Sequence, residues 1–520
     1  MIIRLLAAIG ALVGLSQAAF AQEAAERTFS QTVNDAISPI TDFVANEIIF
    51  FKIPLSAFID GAPDVPFLIV WLLSGGIFFT FYMGFINFRG FAQSLRIVSG
   101  RYDNPADPGE VTHFQALTAA LSATVGLGNI AGVALAITLG GPGATFWMIL
   151  AGLFGMTSKF VEVTLGHKYR QIDENGVVAG GPMHYLSKGL AARNWPKAGR
   201  VVAVIFAMIC IGGAFGAGNM FQANQATAQL ANVAADLTGG VESIFFGRPW
   251  IFGIIYAAGL ALVIVGGIRG ITRVTEFLVP IMAGIYVIAA LFIIGANIEH
   301  LPDAFVAIFK GAFTGDGVAG GILGVMYMGL RRATFSNEAG LGTASIAHAA
   351  AKTKEPVAEG LVALLEPFVD TVIICTMTAL VIIITDMHIH GAGLDGIALT
   401  SAAFDSFIDG FRYVLTIAVP LFAFSTTITY YYYGERALHF LTGGNKGNTV
   451  HVYKVMYLAA IVVGSAMQLT AVMDFADAML LALGFPNLVG VFIMRREVKA
   501  MLADYLARLK AGEIKPFTGK

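Results

Sequence analysis

Long apolar runs separated by short polar stretches make up most of the chain. Each run is close to the roughly 20 predominantly apolar residues that a helix needs to cross a bilayer. The pattern therefore predicts eleven transmembrane helices, with the longest connections at 89–113, 167–200, 297–332 and 386–411. The predicted spans are 66–88, 115–139, 143–166, 201–233, 250–267, 273–296, 333–351, 358–385, 412–433, 451–473 and 476–494.

The first 21 residues differ in pattern from these spans. Arg4 precedes a short apolar stretch that ends in Ala19-Phe20-Ala21, the arrangement of a secretory signal peptide with a small-residue cleavage site. We predict a signal peptide at 1–21, cleaved after Ala21, with a retained, marginal anchor helix as the alternative. Residues 22–65 would then form a periplasmic N-terminal segment.

The composition agrees with a polytopic membrane protein of the all-α class. Of 520 residues, 57% are hydrophobic and 13% are charged, whereas soluble domains carry about 25% charged residues. The formal net charge of −2 at pH 7 gives no reason to expect a nucleic-acid partner. The two cysteines, Cys210 and Cys375, both lie in apolar runs and predict neither a disulfide framework nor a metal site.

Lysine and arginine are unevenly distributed between alternate connections. Cytoplasmic loops of membrane proteins are enriched in both residues. If the segment before residue 66 lies outside, the inner connections and the C-terminal tail contain 23 of the 32 Lys and Arg residues. This distribution predicts that the mature N-terminus lies outside and that the tail at 495–520 is cytoplasmic.

Two predicted spans contain a Gly-Leu-Gly motif beside polar residues near mid-membrane depth. The motifs are Gly126-Leu127-Gly128 and Gly340-Leu341-Gly342. Glycine weakens a helix by about 1 kcal/mol relative to alanine, and unwound backbone is tolerated in a bilayer only inside protein or beside a water-filled cavity. Paired interruptions of this kind indicate a transporter binding site at the membrane midplane.

The two interrupted spans lie five helices apart. Residues 115–296 and 333–494 then form two five-helix units, and 66–88 is a peripheral helix outside both. Because five is odd, the second unit enters the membrane from the opposite side, which makes the two units an inverted repeat. A broken helix exposes N–H groups on one half and C=O groups on the other, so one break can hold a carboxylate and a small cation side by side.

Seven stretches of the sequence resemble a known family. The chain is similar to the alanine or glycine:cation symporters, which are bacterial and archaeal sodium-coupled amino-acid transporters. The stretch around the first break also resembles the unwound first core helix of the neurotransmitter:sodium symporters, which have the leucine-transporter-like fold. The seven stretches are His113–Leu117, Thr124–Val133, Leu139–Ala144, Gly180–Met183, Gly218–Asn224, Phe335–Gly342 and Tyr432–Arg436.

The resemblance implies ion and substrate positions near the first break. The implied ligands of one sodium ion are the backbone carbonyls of Ser122 and Val125 and the hydroxyls of Ser425 and Thr426. Thr124 and Asn129 match positions near a second sodium, and whether this chain uses a second ion stays open. The alternative for Thr124 is a hydrogen bond to a carbonyl of its own helix. The N–H groups of Gly126-Leu127-Gly128 would face the substrate carboxylate.

Further candidate substrate residues lie in the fourth span and at the second break. Gln222 and Asn224 can bind the ammonium or carboxylate of an amino acid, and hydrogen bonding between helices is their alternative role. Phe221 is a hydrophobic lid or plain packing. Asn337 and Gly340 belong to the second break.

Charged residues at and near the second break need partners, because a charge inside a bilayer is costly. Glu338 has three candidate roles: binding a cation, binding the substrate ammonium, or fixing the break through backbone N–H groups. The pair Arg331-Arg332 is predicted to extend to the outer interface. A gate between these arginines and Asp316 or Glu338 is the alternative.

Four other charged residues lie in the third and eighth spans. Lys159 and Glu162 have the i,i+3 spacing of a local ion pair, which is the role we predict for them. Glu366 and Asp370 lie in the inner half of the eighth span and are alternative partners for Lys159.

One position departs from the family pattern. Family members commonly have Gly-Trp before the Tyr-Tyr-Gly-Glu stretch, where this chain has Thr429-Tyr430. The family tryptophan lies near the substrate, so Tyr430 is a candidate pocket residue with an added hydroxyl and a smaller ring. Glycine, serine or a somewhat larger neutral amino acid are therefore alternatives to alanine.

These patterns together predict a sodium-coupled symporter that imports a small neutral amino acid, alanine or glycine foremost, by alternating access. Its coupling ion would be Na⁺, without a covalent cofactor. Proton coupling through Glu338 is the alternative within the same fold, and an ion channel is an alternative of another class. An intramembrane enzyme is not predicted, because His348 has no second histidine at metal-ligand spacing.

Overall fold

The structure is a computed structural model of the chain. It describes residues 31–32, 39, 52–54, 65–237, 248–264, 267–314, 321–391, 393–444 and 447–517. The predicted signal peptide at 1–21, most of the segment 22–65 and Asp316 lie outside the described residues.

Helices form most of the described chain up to the second break. Two antiparallel strand pairs accompany them: β1 (Lys52–Ile53) with β2 (Val65–Pro66), and β3 (Gln171–Ile172) with β4 (Val178–Ala179). The helices are α1 Phe67–Tyr82, α2 Ile86–Arg89, α3 Phe91–Arg96, α4 His113–Thr124, α5 Val133–Gly140, α6 Ala144–Lys168, α7 Pro182–Ala191, α8 Pro196–Phe215, α9 Phe221–Leu237, α10 Pro249–Val263, α11 Gly267–Ala296, α12 Leu301–Thr314 and α13 Gly321–Asn337.

The chain after the second break is also helical. A short 3₁₀ helix, Ile298–His300, precedes α12. The remaining helices are α14 Ala344–His348, α15 Pro356–Ala363, α16 Leu365–Pro367, α17 Thr376–Ile384, α18 Met387–His390, α19 Gly396–Asp405, α20 Phe411–Thr442, α21 Gly447–Ala466, α22 Leu469–Ala482 and α23 Gly484–Lys510.

Seven helical stretches in the described part of the chain are long and apolar enough to cross a membrane. The bent pair of α4 with Gly128–Gly140 makes an eighth, and α1 and α10 are shorter apolar helices. The protein is therefore a helical, multi-pass membrane protein, as the apolar runs predict. The seven stretches are Ala144–Lys168, Pro196–Ala234, Gly267–Ala296, Pro356–Ile384, Phe411–Thr442, Gly447–Ala466 and Leu469–Lys510.

Both predicted helix breaks are confirmed. The first lies between α4 and the turn at Gly128–Gly132, where the helix direction changes by 49° and Val125 has φ −76° and ψ 83°. The second lies between α13 and α14, where Glu338 has a positive φ of 56°.

In the described part of the chain, four stretches form π-helical turns, which are wide turns with one extra residue and are frequent at functional sites; the one at Ile97–Arg101 is interrupted by Gly100, which has a φ of 82°. Three of these turns lie in the interior of spans, beside or opposite the breaks, and the residues of the first two of them are all buried. The four turns are Ile97–Arg101, Gly128–Gly132, Gly216–Met220 and Phe368–Cys375.

Two predicted boundaries are wrong, for one physical reason. The span predicted at 333–351 begins at Gly321 and is broken after Asn337. The turn predicted near 474–475 lies at 467–468 instead, because α21 ends at Ala466 and α22 starts at Leu469. In both places charged side chains lie inside a helix, because the structure pairs them with each other across α13 and α22.

The breaks lie where the central helices meet. Helix α6 packs against α1, α13 and α15, while α20 packs against α4, α8 and α9. The turn Gly128–Gly132 contacts α13 and the turn Phe368–Cys375. The first break is therefore enclosed by α20 on one side and by the second broken helix on the other.

Candidate functional site

The first break is built by local sequence. Thr112 and Gln115 form a capping box at the start of α4, with Thr112 Oγ1 accepting from the Gln115 N–H at 3.2 Å. The helix stops after Thr124, and Gly126 and Gly128 follow within four residues. The chain therefore crosses the centre of the bundle without a continuous helical hydrogen-bond ladder.

Asn129 holds the break together and joins it to the second broken helix. Its Oδ1 accepts from the Gly126 N–H at 2.9 Å. Its Nδ2 donates to Ser336 Oγ at 3.0 Å and to Asp370 Oδ1 at 2.5 Å. Ser336 Oγ in turn donates to Asp370 Oδ2 at 2.8 Å. One amide therefore connects both breaks to a fully buried carboxylate.

The residues implied as sodium ligands lie together. Ser122 Oγ donates to the Ser425 carbonyl at 2.6 Å, which fastens α4 to α20 just before the break. The Thr426 hydroxyl lies against Gly126, where a Cβ atom would overlap it. Ser122, Val125, Ser425 and Thr426 are all almost completely buried. The structure thus surrounds the end of α4 with hydroxyl and carbonyl oxygens, the hard ligands that sodium prefers.

Several implied substrate residues also meet at the first break. Gln222 Oε1 accepts from the Leu127 N–H at 3.3 Å, and its Nε2 donates to the Ala217 carbonyl at 3.0 Å. The Phe221 and Phe335 rings lie 5.0 Å apart at 72°. A Cβ on Gly128 would lie 3.4 Å from Phe335. The N–H groups of the first break therefore have an amide on one side and an aromatic pair on the other.

Two implied residues are directed elsewhere. Asn224 Nδ2 donates to the carbonyls of Gly464 at 3.1 Å and Met467 at 2.7 Å, so this amide fastens α9 to the end of α21. Thr124 Oγ1 donates to carbonyls of its own helix, with Ala120 O at 3.3 Å. These contacts agree with the alternative role of each residue, which is hydrogen bonding within or between helices.

The second break is shaped by Asn337 and Gly340. Asn337 Oδ1 accepts from the Ala339 N–H at 2.9 Å, and its Nδ2 donates to Thr371 Oγ1 at 3.0 Å. Gly340 has a φ of 89°, and a Cβ there would lie 2.6 Å from Leu72 of α1. Both residues therefore define the backbone of the break and do not face the Gly126–Gly128 motif.

Glu338 fixes the second break through hydroxyl groups. Its carboxylate accepts hydrogen bonds from Thr343, across the break, and from the Tyr430 hydroxyl on α20. The Tyr430 ring lies over Gly218, where any Cβ would overlap it. The structure therefore favours the break-fixing role of Glu338, with hydroxyls in place of the backbone N–H groups that we expected.

The predicted interfacial position of Arg331-Arg332 is wrong. Arg331 Nε donates to Asp477 Oδ2 at 2.7 Å and its Nη2 donates to Asp474 Oδ1 at 3.2 Å. Arg332, which is buried, also donates to Asp477 and lies 5.2 Å from the Phe335 ring centroid. The two arginines therefore join α13 to α22 next to the Phe221–Phe335 ring pair.

The predicted local pair of Lys159 with Glu162 is also wrong. Lys159 Nζ donates to Glu366 Oε2 at 3.1 Å, so the alternative partner is the observed one. Glu162 Oε1 accepts from Asn487 Nδ2 at 2.7 Å. Both carboxylates are fully buried and hydrogen-bonded to other helices.

The sequence predicts Asp370 only as a partner for Lys159, whereas the structure places its carboxylate against Asn129, Ser336 and Thr371. The available signal was an acidic residue in an otherwise apolar run, three residues after a proline at 367. In the described part of the chain, no three His, Cys, Asp or Glu side chains are grouped as a metal site.

Comparisons with known proteins show which family the sequence matches. The sodium:alanine symporter family model matches residues 55–519. The sodium/alanine symporter AgcS of Methanococcus maripaludis is 39% identical over 432 residues, which cover 82% of this chain and 92% of that protein. The probable sodium/glutamine symporter GlnT of Bacillus subtilis is 38% identical, with coverages of 86% and 89%.

A solved structure, that of MhsT in complex with L-phenylalanine, covers 76% of this chain and 99% of its own. It aligns with 14% identity and a TM-score of 0.31, which is too low to support an argument about this fold. Membership of a family is shown by the family model and the two relatives, which extend over most of the sequence. The chain belongs to the sodium:alanine symporter family, whose members are sodium-coupled amino-acid transporters and not enzymes.

Proposed function

We propose that this chain imports a small neutral amino acid, alanine or glycine foremost, together with Na⁺. The observation that carries the proposal is the contact of the first break with α20, where Ser122 Oγ donates to the Ser425 carbonyl and Thr426 lies against Gly126. The family and the printed names of AgcS and GlnT support sodium coupling and amino-acid transport. Serine and glutamine are the competing substrates.

The first sodium ion would bind between α4 and α20. Its ligands would be the Ser122 and Val125 carbonyls and the Ser425 and Thr426 hydroxyls. Both of those hydroxyls donate to the Phe422 carbonyl, at 2.9 and 3.2 Å. Each therefore already points its proton into its own helix and leaves oxygen lone pairs for a cation.

A second ion would bind between the two broken helices. Asn129 and Thr124 are the residues implied by resemblance, and Ser336 and Asp370 add a hydroxyl and a carboxylate beside Asn129. A buried carboxylate among neutral polar groups needs a compensating charge or proton. A sodium ion in place of the Asn129 amide hydrogens would supply that charge.

The substrate would bind at the N–H groups of the first break. Gln222 Oε1 accepts from the Leu127 N–H, and a substrate carboxylate would replace that amide oxygen. The released Gln222 oxygen would then be free to accept from the substrate ammonium. Phe221 and Phe335 pack together beside Gly128 and, with Tyr430 as the resemblance implies, would line this space and exclude large side chains. The structure gives no support to a direct substrate role of Asn224, Asn337 or Gly340.

Alternating access would follow from rocking of one helix group against the other, around a fixed midplane site. The two five-helix units would form the inverted repeat of a leucine-transporter-like fold. We further propose a bacterial inner-membrane location, as the resemblance implies. The distribution of Lys and Arg supports an orientation with the mature N-terminus outside and the C-terminal tail in the cytoplasm.

Uptake of radiolabelled alanine into proteoliposomes, with and without sodium and competed by a panel of amino acids, tests this function. We expect sodium-stimulated uptake that small neutral amino acids compete. Thr426→Ala should raise the sodium concentration for half-maximal uptake about tenfold, since one charge-assisted contact contributes about 1.5 kcal/mol. Thr427→Ala is the matched control, because this neighbouring hydroxyl donates to Ala423 O at 2.8 Å and contacts Tyr256. Uptake indifferent to sodium, lithium and pH would overturn the proposal.

A further inference from the structure

A second group of charged side chains lies at the ends of the broken helices. We call it the latch; its members are Asp103, His113, Lys159, His348, Glu359 and Glu366. Glu359 is its centre, with one carboxylate oxygen at His113 Nδ1 and the other 2.5 Å from His348 Nδ1. All members except Asp103 are at most 1% exposed.

The latch continues from His348 to α6. His348 Nε2 lies 2.7 Å from Glu366 Oε1, and Glu366 Oε2 accepts from Lys159 Nζ at 3.1 Å. Both ring nitrogens of His348 therefore face carboxylate oxygens. A neutral imidazole has one N–H donor, so this arrangement needs one more proton, on the ring or on a facing carboxyl group. The geometry is that of a buried proton-binding site.

The latch reaches the surface at Asp103. Its Oδ1 lies 3.9 Å from His113 Nε2, and the Asp103 side chain is 27% exposed. Neither atom has a hydrogen-bond partner within the described part of the chain. Burial raises the pKa of the Asp103 carboxyl, which suits a group that passes protons between His113 and water.

The latch connects the two broken helices to their surroundings. His113 is the first residue of α4, and His348 is the last residue of α14. Both bind Glu359 on α15, and Glu366 and Lys159 extend the connection to α6. Any motion that moves α4 and α14 away from α15 must separate these charged pairs.

We propose that the latch binds an exchangeable proton that holds this end of both broken helices closed, and that the proton leaves to water through Asp103 when this end opens. The inference rests on the proposed function, whose orientation places this end in the cytoplasm. With the proton bound, each carboxylate faces a donor. Without the proton, one His348 nitrogen lone pair faces a carboxylate oxygen. The closed form then loses the attraction between His348 and that carboxylate.

Other titratable groups face the latch and set its charge balance. His167 and Arg170 approach Glu359 from the end of α6. Glu162 and Glu338 face Lys159, and Tyr433 of α20 faces Glu366. None of these groups bridges the two broken helices, so they adjust the proton affinity of the latch and leave its connections unchanged.

The test uses full-length protein in proteoliposomes, with the external pH fixed and the internal pH varied between about 6 and 8, where a histidine-linked proton exchanges. In the wild type, sodium-driven alanine uptake should rise several-fold with internal pH, because loss of the proton eases opening. Glu359→Gln should make uptake independent of internal pH. Glu497→Gln is the matched control, because Glu497 pairs with Lys168 and Arg193 near the same membrane face, outside the latch. It should keep the wild-type pH profile.

Amide hydrogen exchange gives a second readout that needs no transport. Peptides covering 113–124 and 344–348 should exchange several-fold faster in Glu359→Gln than in the wild type, and peptides of α21 should not change. His348→Gln replaces Glu359→Gln if the latter does not fold. A wild-type uptake profile that ignores internal pH, or a Glu359→Gln profile like that of the wild type, overturns the latch. If the wild type transports no amino acid, the proposed function fails, and unchanged exchange in the variant would separately overturn the latch.

Discussion

Gly126→Ala is a direct test of the contact between the first break and α20. Gly126 has no positive φ, so alanine fits the backbone conformation and the effect of the change is steric. A Cβ at this position would overlap the Thr426 hydroxyl and would lie 3.4 Å from Gln222 Oε1. The substitution therefore displaces one proposed sodium ligand and crowds one proposed substrate residue.

The expected magnitude follows from the tightness of this contact. Adding one carbon atom to a packed interior costs about 1–3 kcal/mol. If that cost falls on the sodium-bound form, the affinity for sodium drops by about 5- to 150-fold. Gly132→Ala is the matched control, because a Cβ there would meet only Leu127 O at 4.0 Å and should leave sodium affinity unchanged.

The assay measures alanine uptake as a function of sodium concentration for Gly126→Ala, Thr426→Ala and the double variant. If both residues act at one ion site, the effects are not additive, and the double variant should resemble Thr426→Ala. Additive effects, or a Gly126→Ala variant with reduced thermal stability and wild-type sodium affinity, would refute the reasoning.

Three further predictions concern the rest of the site. Tyr430→Phe removes the hydroxyl that donates to Glu338 and should lower the free energy of unfolding by about 1.5–3 kcal/mol, measured by thermal unfolding. Tyr433→Phe is the control and should not lower it, because the Tyr433 hydroxyl has no partner among the described residues. Asp477→Asn leaves Arg331 and Arg332 without their shared carboxylate and should cost about 3 kcal/mol of stability. Arg508→Gln removes one side of a pair with Glu355 in which both side chains are about one third exposed, and it should cost at most about 1 kcal/mol; equal losses would contradict the burial argument. Asp370→Asn should lower the number of sodium ions moved per alanine, measured from paired ²²Na and alanine fluxes; an unchanged ratio would remove this carboxylate from the second ion site.

The sequence predicted the features that depend on local backbone. Apolar runs identified the spans, and the two Gly-Leu-Gly motifs located both breaks, because few residue types allow a helix to stop inside a bilayer. The grouping of Ser122 with Ser425 was also predicted, through resemblance to a family whose motifs occur in the same order along the chain. Each of these conclusions rests on contiguous residues or on a complete motif.

The sequence did not predict features that depend on pairing between distant segments. Arg331-Arg332 and Asp477 are separated by more than 140 residues, and only their contact explains why charged residues lie inside two helices. The same holds for His113 and Glu359, which the chain separates by 246 positions. A charged residue in an apolar run indicates that a partner exists, but a single sequence does not identify the partner.

The π-helical turns make the spans unusually tolerant of the deletion of a single residue. A π turn is a single inserted residue that the flanking α-helix accommodates without changing its own register. Deleting one residue between Gly216 and Met220 should therefore convert the turn to ordinary α-helix and leave α8 and α9 in place. The chain would still insert and fold, but the widened backbone beneath Tyr430 would be lost. A scan of single-residue deletions should therefore find that the protein still inserts and folds when the deletion lies in a π-helical turn at the centre of a span. These variants should have lost transport.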